Sequence, residues 1–260
     1  MAAGPPRPTH AAALVAVALC SWGGAAAAST PGPNGIDALP PRAVLARSAR
    51  ALAAQSAVDV VGSIRLGSET VSFDLRSAAR GRAVAGRITV RSGALVTGPV
   101  RFVVVRGVLY LDAPAAFWRQ AIRAMRGAPG GATAAADIAA LASRWISVGG
   151  AQASNFAAGF GGLTRPGELA RSLVSGAEAR HALPPTTVRG RRALPVTTAS
   201  GATVYVALVG EPLPLEIRGS VSLGSAWVSA VAAVSYPAAQ HVVAPAGALT
   251  VAQVASAPRA

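Results

Sequence analysis

The stretch VDVVGSIRL (58–66), GSE (67–69), TVSFDLR (70–76) decides the fold. Val58, Val60, Gly62, Ile64 and Leu66 alternate with Asp59, Val61, Ser63 and Arg65, and after the turn Val71, Phe73 and Leu75 alternate with Thr70, Ser72, Asp74 and Arg76. A period of two places one set on a dry face and the other on a wet face, which is the signature of antiparallel strands. Val84, Gly86, Ile88 and Val90 repeat the pattern against Ala85, Arg87, Thr89 and Arg91. Three such strands joined by short turns predict a meander. Val100–Arg106 and Val108–Asp112, bent at Gly107, extend it and are apolar on both sides, so a second layer must cover them.

Downstream the period changes. Pro114 opens a helical stretch in which Phe117, Trp118, Ala121, Ile122 and Met125 share a face opposite Arg119, Arg123 and Arg126. A short helix near Ala134–Leu141, an extended piece Arg144–Val148 and two helices, Asn155–Leu163 and Gly167–Ser175, follow. Strand alternation returns over Val188–Thr198, Thr203–Val209, Leu213–Leu223 and Ala226–Tyr236, with a last extended piece at Gln240–Ala244. Upstream, Arg42–Gln55 reads as a helix burying Val44, Leu45, Ser48 and Leu52. The pattern is α+β: a single antiparallel half-barrel sheet with helices inserted mid-chain covering its concave face. One domain over 42–253 accounts for all of it, ahead of a frayed tail at 254–260.

The N-terminus is organised differently. Arg7, the apolar run Ala11–Leu19 and the small residues after Trp22 make a secretory signal over 1–28. Nine helical residues rise about 14 Å, far short of a hydrocarbon core of ~30 Å, so the run does not span a membrane. Cys20, the only cysteine, closes it. Val17-Ala18-Leu19-Cys20 fits a lipoprotein cleavage pattern at Ala18 and departs from it at Leu19, where a small residue is usual. In that reading Cys20 becomes the acylated first residue and anchors the protein in the membrane. Ordinary cleavage after Ala26 or Ala28 is the alternative, and gives a secreted protein. Ser29–Pro41, rich in proline and glycine, reads as a flexible tether.

Composition removes several chemistries. The chain carries +14 net charge on 24 arginines and no lysine, which excludes a P-loop lysine, a Schiff base and an S-x-x-K nucleophile pair. There is no G-x-S-x-G, no H-E-x-x-H and no cysteine pair for a metal. His10 leaves with the signal, His181 is expected in a loop before Pro184-Pro185, and His241 in the last strand. No catalytic, metal or cofactor site is expected, and the protein reads as a non-enzyme. A basic surface draws anionic partners, and export directs this one away from nucleic acid and toward anionic headgroups. The stripe Arg119, Arg123, Arg126 is one place to meet them, and a solvated helix face is its plainer reading.

A sheet covered by helices either closes on a dry core or leaves a cavity, and the pattern alone permits both. Most bulky rings fall between Phe102 and Phe160. The candidate cavity wall is therefore Phe102, Leu111, Phe117, Trp118, Ile122, Trp145, Phe156 and Phe160.

The run Val58–Leu75, the segment LYLDAPAAFW (109–118), LASRWI (141–146) and the closing VYV (204–206), LPLEI (213–217), Tyr236 and VAPAGA (243–248) resemble actinobacterial envelope lipoproteins of the LppX/LprG type, distant structural relatives of the LolA/LolB carriers. The resemblance covers nearly all of the mature chain. It implies a hydrophobic cavity for the acyl chains of a lipid or glycolipid, an acylated Cys20, and no shared catalytic residues. The alternative within the same fold is an envelope-anchored interaction module that carries no lipid.

Overall fold

The computed structural model describes residues 32–126, 138–142, 144–175, 179–223, 226–238 and 240–256. Cys20 and the signal lie outside them. The first five strands are β1 (Val58–Leu66), β2 (Glu69–Ala78), β3 (Ala83–Ser92), β4 (Leu95–Val105) and β5 (Val108–Asp112). They pair in sequence as an antiparallel meander, with Val60 opposite Leu75 and Gly86 opposite Phe102. Most of the residues that alternate as apolar in the sequence face one core, whereas Leu66, at the end of β1, is exposed. Val58, Val60, Phe73, Leu75, Val84, Phe102 and Val104 are buried together.

After helix α1 (Pro41–Ala54) and the meander come α2 (Ala115–Arg126), β6 (Ile146–Val148), α3 (Gly150–Thr164) and α4 (Pro166–Ser175). The expected short helix survives in the described residues as one turn at 138–141. Six strands then follow: β7 (Ala179–Ala182), β8 (Thr186–Val188), β9 (Arg191–Thr198), β10 (Thr203–Ala207), β11 (Pro214–Leu223) and β12 (Ala226–Ser235). The chain closes with β13 (Leu249–Thr250) and helix α5 (Val251–Ser256).

All thirteen strands among the described residues join one open sheet, ordered β13-β6-β5-β4-β3-β2-β1-β12-β11-β10-β9-β7, with β8 also on β9. The two meanders meet where β1 pairs with β12, Val60 opposite Val234. Strand pairing is antiparallel except at one edge, where β13 runs parallel to β6. The architecture is thus α+β and sheet-dominated, with few helices. Among the described residues no helix is long and apolar enough to cross a membrane.

Two clusters fill the space between sheet and helices. One unites α1 and α4 with β9–β11: Val44, Leu45, Leu52, Leu169 and Leu173 pack on Leu194, Val196, Val204 and Val206. The other unites β1–β5 and β12 with α3. Tyr236 packs against both, and its hydroxyl donates to the Pro214 carbonyl at 2.7 Å. Burial raises that phenol well above its ordinary pKa of 10.0.

Several expectations need correction. Residues 33–39 are not a tether. Pro33 bridges to Val209, the Asn34 side-chain amide donates to the carbonyls of Ala207 (2.8 Å) and Gly210 (3.0 Å), and Ile36 is wholly buried. Pro and Gly here supply a turn, with Gly35 left-handed at φ +70°, that folds the segment back onto β10. The domain therefore begins before residue 42, and α5 carries its ordered end past 253 to Ser256. His181 lies in β7 rather than in a loop, and His241 lies outside any strand. Both side chains are exposed.

Candidate functional site

The chain makes three sharp turns or junctions at one end of the first meander. Between β2 and β3, Ala79, Arg80 and Gly81 are all left-handed, at φ 50°, 59° and 82°. Between β4 and β5, Arg106 and Gly107 take φ 53° and 75°, the two-residue turn that matches strand twist. Thr164-Arg165 is the junction of α3 and α4. Gly81 rests directly against that junction. A Cβ there would lie 2.6 Å from Arg165 Cγ and 2.9 Å from the Thr164 carbonyl, so only glycine permits the approach.

These segments surround a cavity of about 650 Å³ between the sheet and α3. Its floor is apolar and buried: Val84 on β3, Phe102 and Val104 on β4, and Ala153 on α3, with Phe156 beside them. Phe102 and Phe156 meet edge to face at 4.9 Å between ring centres. Gly86 makes room for Phe102, since a Cβ there would come within 3.0 Å of its ring. The rim is cationic. Arg80, Arg82, Arg106 and Arg165, all exposed, line the same space as that floor.

The reason for the space is in the covering helix. Between Gly150 and Thr164 the sequence is GAQASNFAAGFGGLT, which is chiefly glycine and alanine. A helix so poor in volume cannot fill the layer that native packing density requires. A second cavity of about 370 Å³ lies under α2 beside the opposite hairpin ends, lined by Phe117, Ala121, Val90, Leu95 and the more polar Thr97 and Gln120.

Of the eight aromatic and aliphatic candidates, Phe102 and Phe156 line the large cavity and Phe117 the small one. Leu111, paired with Phe102 across β4–β5, packs into the neighbouring core without lining either space. Trp118 stacks edge to face on Phe117 and donates its indole N–H to the Ala113 carbonyl at 3.2 Å. Trp145 lies elsewhere, under the Arg101 guanidinium at 5.6 Å, and Arg101 is paired with buried Asp112. The side chains of Ile122 and Phe160 lie outside the described residues.

Sequence reasoning missed the four arginines at the rim. It weighed cations by helix face, through Arg119, Arg123 and Arg126. The relevant signal is instead an arginine beside a turn-former: Arg80-Gly81, Arg106-Gly107 and Arg165-Pro166. Among the described residues no group of three His, Cys, Asp or Glu side chains is placed to hold a metal ion. The cavity lining holds guanidiniums, apolar groups and the hydroxyls of Ser154 and Thr164. The Ser154 hydroxyl donates to the Gly150 carbonyl at 3.3 Å.

No family model matches the chain, and no curated protein matches it. Among solved structures it is similar to LprF from Mycobacterium bovis, at TM-score 0.50 and 14% identity over 84% of this chain and 100% of that one. An uncharacterized conserved protein from Thermus thermophilus aligns at TM-score 0.37 and 10% identity, over 81% and 97% of the two chains. The likeness to LprF shows a shared fold.

Proposed function

We propose that this chain is an exported envelope protein, held at the membrane through acylated Cys20, that binds the acyl chains of a lipid or glycolipid and carries them without chemical change. In this reading the open sheet acts as a half-barrel of the LolA kind, and α3 is its incomplete lid. The observation that carries the proposal is the cavity of about 650 Å³ over Phe102, Val104 and Phe156. That volume lies within the range of about 300–1,000 Å³ usual for ligand sites. Its apolar floor matches hydrocarbon, and each methylene withdrawn from water contributes about 0.8 kcal/mol. Ten methylenes amount to about 8 kcal/mol before the costs of immobilising the ligand. The sequence resemblance to LppX/LprG-type lipoproteins and the fold shared with LprF support the same reading.

The test is extraction of the purified full-length protein with organic solvent, followed by mass spectrometry. An acylated molecule released in near-stoichiometric amount is the expected result. A clean protein that also fails to take up a fluorescent fatty acid would favour the interaction module instead. Fractionation of the Cys20→Ala variant tests the anchor, which is wrong if the variant stays with the membrane.

A further inference from the structure

The floor of the large cavity explains a hydrocarbon guest, but not the four guanidiniums around it. Arg80 and Arg82 come from one turn, Arg106 from the next, and Arg165 from the junction of α3 and α4, so three separate segments deliver cations to one opening. Elsewhere three carboxylates pair with arginines. Asp74 takes Arg76 and Arg87, Asp112 takes Arg101, and Glu216 takes Arg189 and Arg218. At the rim, Glu168 pairs with Arg165 at 2.7 Å, and no described ion pair includes Arg80, Arg82 or Arg106. No carboxylate is among the described residues lining the cavity. Ala79, Arg80 and Arg106 there are non-glycine residues at positive φ, as is Arg189 in the β8–β9 turn.

On the acyl-binding reading above, we infer that the ligand is an anionic amphiphile. Its phosphate-class headgroup lies at the Arg80–Arg82–Arg106–Arg165 rim, and its chain lies over Phe102 and Phe156. Guanidinium forks suit phosphate oxygens, and charge-assisted hydrogen bonds there add to the apolar contribution of the tail. Gly81, by letting the Arg165 junction sit against the β2–β3 turn, is what brings the fourth cation to the other three.

Delipidated full-length protein is titrated with palmitoyl lysophosphatidylglycerol and with monopalmitoylglycerol, below micelle-forming concentrations, and with inorganic phosphate. The two lipids share a tail, and only the first carries a phosphate. The expected result is tighter binding of the anionic lipid by about tenfold or more, with the preference shrinking as salt is raised. In Arg80→Gln/Arg82→Gln/Arg106→Gln the preference collapses while affinity for the phosphate-free lipid is kept. These side chains are exposed, so the triple variant retains the fold, and Arg119→Gln, off the rim, leaves the preference intact. Equal binding of both lipids overturns the anion proposal and leaves acyl binding standing. Binding of neither overturns acyl binding as well. Inorganic phosphate that binds as tightly as the anionic lipid would mean a free-anion site, and overturns the headgroup assignment.

Discussion

One sheet carries two helical covers, and they leave different interiors beneath them. Over β9–β11, α1 and α4 present Val44, Leu45, Leu52, Leu169 and Leu173, every one buried. Over β1–β5 lies α3, whose sequence is chiefly glycine and alanine and which packs Phe156 and Leu163 on the core, and the large cavity lies below it. The strands beneath are equally apolar in both halves, Val58, Val60, Phe73 and Leu75 in one and Leu194, Val196, Val204 and Val206 in the other. The volume of the covering side chains, rather than the character of the sheet, therefore decides between a dry core and a binding space. A tightly filled layer stabilises the fold; an underfilled one leaves room for a guest.

The largest effect is expected in the filled half. Leu52 is wholly buried on α1 amid the first cluster. Leu52→Ala removes methylene burial and leaves a void that close-packed neighbours cannot refill, a cost of about 2–5 kcal/mol. Urea unfolding measures it. A loss below about 1 kcal/mol would mean that this half already contains slack, and the contrast between the covers would fail.

Adding volume sharpens the same contrast. Ala170 on α4 and Ala153 on α3 are both buried alanines. Ala170→Leu has to push aside a packed layer and is expected to destabilise by about 1–3 kcal/mol. Ala153 lines the cavity, so the extra carbons of Ala153→Leu enter space already present, and stability should hold or rise. The same change should weaken uptake of a fatty-acid probe, because the guest and the new side chain compete for one volume. Equal destabilisation by the two changes would place packed protein where the cavity is described.

How much of this was legible beforehand follows from the range of the forces involved. The strands of both meanders were readable because a period of two is written locally, and α1 showed its buried face through Val44, Leu45, Ser48 and Leu52. The docking of Asn34 and Ile36 was not. It depends on the carbonyls of Ala207 and Gly210, more than 170 residues away, and nothing near Asn34 announces them. The parallel β6–β13 pairing escaped for the same reason, since two residues at Leu249–Thr250 carry no period. Phe102 and Phe156 are identifiable as wall residues by size, yet the glycine and alanine of α3, which create the space, signal only a helix. Trp145 stands out by size alone, and its place under Arg101 depends on a partner on β4. Charge patterns on helix faces do not reveal the rim arginines, because turns project side chains from several strands toward one point.

The smallest effect lies at the seam between the halves. Tyr236 touches both clusters, and its hydroxyl holds the Pro214 carbonyl at the start of β11. Tyr236→Phe deletes one hydrogen bond and no ring packing, so about 0.5–1.5 kcal/mol is lost at neutral pH with ligand uptake unchanged. The alkaline limb is more diagnostic. Burial raises the folded phenol's pKa, and the weaker attraction of Arg191 opposes that shift without cancelling it. For an acid whose folded pKa exceeds its ordinary 10.0, the stabilising contribution is intact below pH 10.0. It is lost as pH rises beyond that value, because the unfolded chain ionises while the folded one does not. The parent protein should therefore lose stability above that pH more steeply than Tyr236→Phe, as followed by thermal unfolding across the alkaline range. Identical slopes would mean that the phenol ionises freely in the folded state, and then the two interiors are not sealed to each other at this ring.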